Sequence, residues 1–365
     1  MTSRLNRPAR RSPLAGLPPP AAGPSPVDRA SPAHSSSPVD RASPLAHSSS
    51  PVDRSPLAHR WAFTATGCRW AVSTRHPLPE GLHRLIGERI NAFEGVWSRF
   101  RPDSLVSRAA AGALPSDDDG AVVLDLPDGS GRLLDLYDAL HRATGGRLDP
   151  LVGADLVELG YDPRYSFVVR AGAVRRLGAA GGRGTWAELA AHEGDRLRLD
   201  RAALIDVGAA GKGLLADLVG AWLEQEGVEE YLVDGSGDLL VRCSEPLRLG
   251  LEEPGSTEED PRVVGVVELA RGALCASGTA RRAWGEGLHH LLDAVTGLPV
   301  GGARAVVASW AVAGDCMSAD ALATALFLAE PQALAEAGFA YEFALLRADG
   351  SAAVSRGLPG GLFTA

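Results

Sequence analysis

The chain contains a single lysine, Lys212, while the rest of its 36 basic residues are arginine. It lies in IDVGAAGKGLLAD (205–217), where a short apolar run leads into a glycine-rich turn and then a helix start. That order presents backbone N–H groups to a phosphate. A Walker A loop would need Gly at 206 and Ser or Thr at 213, where the chain has Asp206 and Gly213, so an NTPase is not expected. The dinucleotide pattern G-x-G-x-x-G is missing from this turn as well. The plain alternative is a tight strand–helix turn with an exposed lysine. A second group is SADALATA (318–325). Asp320 and Thr324 are four apart and share one face of a helix. Their neighbours are nearly all Ala and Leu, so this face is buried, and hard oxygen ligands in that setting suit Mg²⁺ or Ca²⁺. Otherwise the Asp complements a helix N-terminus and the Thr bonds back to its own helix. The third group is HHLLDAVTGLP (289–299), where a histidine is placed to act as a general base near neutral pH. Alternation along a strand would instead bury one of His289 and His290 and expose the other.

The elements that must position these groups follow from hydrophobic spacing. Residues 61–73 read as a strand broken at Gly67. Leu82, Leu85, Ile86, Ile90, Phe93, Val96 and Trp97 form one apolar helical stripe after Pro79. A second helix covers about 132–144, stopped by Gly145-Gly146. Residues 170–200 are glycine-rich and read as loops and short strands. Leu204 to Val207 reads as a short strand, and a helix runs from about Lys212 to Glu226. Strands at 230–234, 238–243, 247–251, 263–270, 288–292 and 304–312 follow too closely for helical crossovers, which favours antiparallel pairing. A helix over about 317–329, limited by Pro331, and a strand over 341–347 complete the pattern. The fold class expected is α+β: mixed, largely antiparallel sheets with packed helices.

Composition narrows the function. At 365 residues, 45% hydrophobic and 22% charged, the chain can bury a sizeable core. No apolar run approaches the roughly 20 residues a spanning helix needs, so no integral membrane segment is expected. A formal charge of −9 argues against nucleic acid as a partner. Residues 1–60 carry +5, which leaves −14 for residues 61–365. A body that acidic needs a local device, such as a metal ion or backbone donors, to hold an anion. The unit SPVDRASP recurs in the first 60 residues, which are rich in Pro and Ser and poor in large apolar side chains. This region reads as a disordered tail. It is followed by one domain over 61–355 and a C-terminal tail over 356–365. Arg10-Arg11 is followed by no apolar segment and no cysteine lies near the start, so a cytoplasmic location is expected. The four cysteines show no C-x-x-C spacing and are expected to be free thiols.

In order along the chain, these segments resemble the ApbE-type family of FAD:protein FMN transferases over roughly 61–350. Thr66-Gly67 corresponds to the family's Met-Gly-Thr segment, VWSRFRPDSLVSR (96–108) to its Ser-x-Tyr/Phe element, and RLDPLVGADLVELGYD (147–162) to its Asp-Pro segment. IDVGAAGKGLLAD, DGSGDL (234–239), CASGTARR (275–282), HHLLDAVTGLP and SADALATA match the remaining signatures. The sequence departs from the pattern at Thr66, at Ala109 and Ala110, at Asp293-Ala294, and in the turn Gly235-Ser236-Gly237-Asp238. The resemblance implies FAD as substrate, with Thr66, Phe100, Arg147, Leu148, Asp149, Asp206, Lys212 and Leu291 among its contacts. It also implies Mg²⁺ on Asp320, Thr324 and a backbone oxygen of Ala209, with Asp320 and His290 as catalytic residues. The implied reaction is transfer of FMN to a Ser or Thr hydroxyl of a target flavoprotein, with AMP leaving. An Mg²⁺-dependent FAD pyrophosphatase and a non-catalytic flavin-binding protein are the alternatives.

Overall fold

The computed structural model describes residues 57–257 and 260–363. Most of the repeat region lies outside the described residues. Its end does not: Leu57 is buried, and the first strand opens at His59 rather than Trp61.

The central feature is a nine-stranded sheet. Its strands are β1 (His59–Ala65), β2 (Cys68–Thr74), β3 (Tyr231–Asp234), β4 (Asp238–Glu252), β5 (Val263–Gly278), β6 (Val306–Ala313), β7 (Glu342–Arg347) and β8 (Ala352–Val354). They lie side by side in chain order with every pair antiparallel. Between β1 and β2, β3 and β4, β4 and β5, and β7 and β8 the short connections required this, since a parallel crossover needs a dozen or more residues. Strand β9 (Gly360–Leu362) adds to the outer half of β5, so the segment expected to be a tail is part of the sheet. Along β4, Leu247, Leu249 and Leu251 are buried while Arg248, Gly250 and Glu252 face out, the two-residue period of a half-covered strand.

Helices cover the other face of the sheet. They are α1 (Glu80–Trp97), α2 (Gly131–Ala143), α3 (Gly211–Gln225) and α4 (Cys316–Ala325). Leu82, Ile86, Ile90 and Trp97 form the buried stripe of α1, and α4 is buried nearly all round. A separate three-stranded sheet (Val122–Asp125, Arg196–Leu199, Ala190–Glu193) packs within the same core, and its first strand carried no recognised signal.

Three elements differ from expectation. Leu204 to Val207 forms no strand: the Asp206 N–H donates to the Pro150 carbonyl at 2.7 Å, and Ile205 and Val207 are buried as loop residues. The run 288–292 is two fragments, Leu288–His289 pairing with Ala283–Trp284 and Leu292–Asp293 pairing with Leu298–Pro299. Helix α4 stops at Ala325, and Pro331 opens a further short helix (Pro331–Glu336), where its missing N–H costs nothing.

One glycine decides how the two site-bearing helices meet. A Cβ on Gly213 would lie 2.2 Å from the Cys316 carbonyl oxygen and 2.8 Å from Asp320 Cβ. Ser or Thr at this position, as in a Walker loop, would push α4 away from Lys212. Gly213→Ala is therefore expected to destabilise the fold by about 1–3 kcal/mol despite the better helix propensity of Ala. A denaturation midpoint equal to that of the wild type would show that the helices do not pack through this position.

Candidate functional site

The cleft is built where the helix starts converge on the end of the sheet. Its volume is about 420 Å³, and its wall includes Phe100, Arg147, Leu148, Asp149, Asp206, Ala209, Lys212, His290, Leu291, Asp320 and Thr324. Eleven of the twelve residues singled out from the sequence thus share one cavity. Thr66 is not among the lining residues, although Gly67 and Cys68 are. Thr66 instead holds the β1–β2 turn: its N–H donates to Glu94 Oε1 at 2.5 Å, and its Oγ1 accepts from Trp70 Nε1 at 3.2 Å. Its φ of 50° and the 69° of Gly67 give the two left-handed residues a tight hairpin requires.

At the inner end of the cleft, Lys212 joins two buried carboxylates. Its Nζ donates to Asp238 Oδ2, and to Asp320 Oδ1 at 3.3 Å. Asp238 lies in the β3–β4 turn quoted above as DGSGDL, so this residue was in view without its role. Burial works against the Lys212 ammonium, but Asp238 and Asp320 outweigh it and raise the pKa. Burial, reinforced by Asp238, raises that of Asp320, against the pull of Lys212 and the Gly213 N–H. The Gly213 N–H donates to Asp320 Oδ2 at 2.9 Å. One turn further along α4, Thr324 Oγ1 lies 3.2 Å from Ser277 Oγ. Two buried carboxylates against one ammonium leave an excess negative charge beside two hydroxyls. This oxygen set has the chemistry that suits a hard divalent cation, and Ala209 lines the same cleft.

The middle of the cleft is more basic than the body around it. Arg99, Arg147, Lys212, Arg281 and Arg282 line it against Asp149, Asp206 and Asp320. Arg99 was not foreseen, although it stands beside Phe100 in the quoted segment. Its Nε pairs with Asp206 Oδ2 at 2.5 Å, its Nη1 donates to the Tyr161 carbonyl at 2.8 Å, and its guanidinium lies over Phe100 at 4.1 Å. Asp206 Oδ1 also accepts from the Gly208 N–H at 2.7 Å, which closes the turn before α3. The carboxylate of Asp149 is wholly buried and fully engaged: it accepts from Leu151 N at 2.7 Å and Trp186 N at 2.9 Å, and it faces Arg183 at 3.4 Å and His141 at 3.5 Å. Asp149 therefore shapes the wall and places the Pro150 carbonyl that receives Asp206 N. Arg147 is held by Asp293 at 2.9 Å and by the Leu328 carbonyl.

The histidines divide. His289 is a strand residue whose Nε2 lies 3.0 Å from the Val300 carbonyl, and whose Nδ1 accepts from Leu291 N. His290 faces the cleft, and its buried Nδ1 has no hydrogen-bond partner among the described residues. Burial, then Arg282, His289 and Lys212, push its pKa down to about 3, so the ring is neutral near pH 7. Tyr137 of α2, for which no motif gave a signal, also lines the cleft with its buried hydroxyl, which lies against the Ala209 and Ala210 backbone.

Phe100 and Tyr161 line the outer part of the cleft, and Tyr165, Phe167 and Trp284 pack against them. Phe100 and Tyr165 stack at 5.1 Å with 5° between planes, and Tyr161 stacks on Trp284 at 5.4 Å. Tyr165 and Phe167 both have φ of 51°, a conformation that costs bulky residues on the order of 1–3 kcal/mol each.

An α+β meander carrying a basic, nucleotide-sized cleft with hard oxygen donors at one end defines the class of protein. The model of the ApbE family matches residues 66–341, and the chain belongs to that family. Two proteins named FAD:protein FMN transferase, from Vibrio cholerae and Escherichia coli, are 31% identical over 144 residues and 30% identical over 135 residues. These alignments cover 37% and 35% of this chain, and 42% and 37% of the relatives. The chain thus spans about two fifths of the length of the curated relatives it matches. Among solved structures, the flavin transferase ApbE from Vibrio cholerae has a TM-score of 0.67 at 22% identity, covering 82% of this chain and 97% of that one. The ApbE protein of Thermotoga maritima gives the same values. These likenesses establish the fold. No helix among the described residues is long and apolar enough to cross a membrane.

The start of α4 carries a pH-sensitive support. Asp217 of α3 accepts from Cys316 N at 2.8 Å and Met317 N at 2.9 Å, placing a carboxylate on the positive end of α4. Burial nevertheless raises its pKa to about 6, beyond what the two amides recover. A raised folded-state value means that the native state binds the proton more tightly than the unfolded chain. Its contribution to stability is lost as pH rises from about 4 to 6 and recovered as pH falls. Between pH 7 and 5 this group should add about 1 kcal/mol. Unfolding titrations at the two pH values should show that gain in the wild type, reduced by a similar amount in Asp217→Asn. An unchanged difference would mean that Asp217 does not titrate in this window.

Proposed function

We propose that the chain transfers the FMN moiety of FAD to a Ser or Thr hydroxyl of a target flavoprotein, releasing AMP, with Mg²⁺ at the inner end of the cleft. The observation that carries this reading is the buried set Asp238–Lys212–Asp320 facing Thr324 and Ser277. It combines a compact cation with an unbalanced negative charge and hard oxygens at the end of a basic cleft. That the family's relatives are named FAD:protein FMN transferases supports the same reading.

Phosphoryl transfer of this kind depends on positioning and charge neutralisation. Asp320, Thr324 and the Ala209 carbonyl would hold the cation, which when bound supplies charge neutralisation for the diphosphate. Lys212 stays on Asp238 and points its ammonium at the same end of the cleft. Arg282 and Arg147 line the path of the anionic substrate. The acceptor oxygen forms a bond to the FMN phosphorus as the bond to the AMP oxygen breaks, and AMP departs with the bridging oxygen. His290 is neutral and positioned to take the hydroxyl proton. Burial is the main cause of its low pKa, and the negative charge of the diphosphate offsets the smaller part that comes from Arg282 and Lys212.

Incubation with FAD, Mg²⁺ and a target flavoprotein should yield a fluorescent covalent adduct and one AMP per flavin. Folded protein that gives no adduct with a range of such targets would refute transfer, and AMP with free FMN formed without a target would identify a hydrolase instead. Asp320→Asn should lower the rate about a hundred-fold or more, and His290→Asn by a similar factor while leaving FAD affinity within about two-fold. Lys212→Arg tests whether the lone lysine is chemical. The planar guanidinium does not fit between the two carboxylates as the ammonium does, so the rate should fall about ten-fold or more; full activity would mean that only the charge matters.

A further inference from the structure

The aromatic residues at the cleft mouth do more than close a small core. Tyr165 is 45% exposed, yet its ring lies flat on Phe100, which lines the cleft. Its hydroxyl reaches across the mouth to the β1–β2 turn, 3.6 Å from where a Cβ on Gly67 would stand. The ring therefore spans the opening from one wall to the other. Phe167, two residues further along and 47% exposed, is fixed from below: its N–H donates to the Gly160 carbonyl at 2.8 Å. Val168 backbone fills the space a side chain at 160 would need, 2.5 Å from that Cβ position. The Tyr165 N–H is tied in the same way, to the Asp162 carbonyl at 2.9 Å. Its ring rests against those of Phe100, Tyr161 and Phe167, contacts that a side-chain rotation can exchange for a ligand ring, and its left-handed backbone is one that a bulky residue adopts only under constraint.

We propose that Tyr165 is a flavin-binding residue: its ring gives way at the face of Phe100 and caps the outer face of the isoalloxazine, enclosing it between two aromatic planes. This deepens the flavin-transfer reading and rests on it. Two observations, taken with the proposed function, select the isoalloxazine as the occupant. On that reading Asp320, Thr324 and Lys212 take the diphosphate, which leaves the aromatic wall for the ring. Phe100 presents a flat face already matched to a planar ring within 5°. Arg99, stacked over Phe100 at 4.1 Å, is paired with Asp206, so its charge is already met and the Phe100 face beside it is free to take a planar ring. A ring inserted between Phe100 and Tyr165 needs the two planes about 7 Å apart, twice a normal carbon contact. Because residues 163–168 are exposed, only the Tyr165 side must move.

The test is calorimetric titration of the wild type, Tyr165→Phe and Tyr165→Ala with FAD, FMN and ADP. Tyr165→Ala should bind FAD and FMN about ten-fold more weakly, the effect of one lost aromatic stack, and ADP within about two-fold of the wild type. Tyr165→Phe should bind all three as the wild type does. Since the side chain is half exposed, its truncation leaves no internal cavity, and an unchanged unfolding midpoint verifies this. If Tyr165→Ala binds FAD as tightly as the wild type, or loses ADP affinity in parallel, the capping role is overturned while flavin transfer stands. A wild type that binds ADP but neither FAD nor FMN would overturn the flavin reading itself, and the capping role with it.

Discussion

Lys212 bridges Asp238 and Asp320, and this contact ties together three parts of the chain that are distant in sequence: the start of α3, the β3–β4 turn and the middle of α4. Removing charges from water is costly, and a buried carboxylate is tolerated only when paired. Here one ammonium serves two carboxylates. Such a grouping is unstable as an isolated cluster and well suited to receive another cation. Gly213 makes the contact possible, because any side chain there would meet the backbone of α4. Asp217 then fixes the start of α4 by taking its first amides. The residues that touch the ligand-binding end are thus set by neighbours whose task is backbone approach and backbone capping.

The charge of the whole chain misdirects attention in one respect. An excess of acid over 61–365 leads one to expect that a metal ion or backbone donors must draw in an anionic ligand. The fold instead gathers Arg99, Arg147, Arg281 and Arg282 with Lys212 along one cleft. Local potential near a low-dielectric wall, more than net charge, governs what enters such a cleft. The cation-fitting oxygens complete this field at its inner end. Asp149 and Asp206 moderate it elsewhere by being committed to Trp186, Leu151, Gly208 and Arg99. Charges that look alike in sequence therefore have opposite duties: some are presented to the cavity and others are consumed in shaping it.

Local patterning carried much of the architecture. The stripe of α1, the stops of α2 and α3, and the close spacing of strands after 230 were each readable, since a period of 3.6 or 2 reflects one buried face. Ile205 and Val207 show where such reading fails. They are apolar and flank a turn, but the Asp206 N–H is taken by Pro150, so the segment has no ladder to join. Gly360–Leu362 fails in the opposite direction, because two glycines give no strand signal and only the open edge of β5 recruits them.

For the site, the types and spacing of residues determined a great deal: Asp320 and Thr324 on one helical face, Lys212 at a helix start, and a histidine pair of which one member was free to act. These are properties of single segments, fixed by helix and strand geometry within a few residues. Tertiary packing alone decided which histidine meets the cleft, that Thr66 serves the hairpin rather than the cavity, and that Arg99, Tyr137 and Asp238 belong to the site. Those outcomes depend on distances between segments far apart in the chain, such as the 107 residues between Arg99 and Asp206 and the 108 between Lys212 and Asp320, and no local periodicity encodes them.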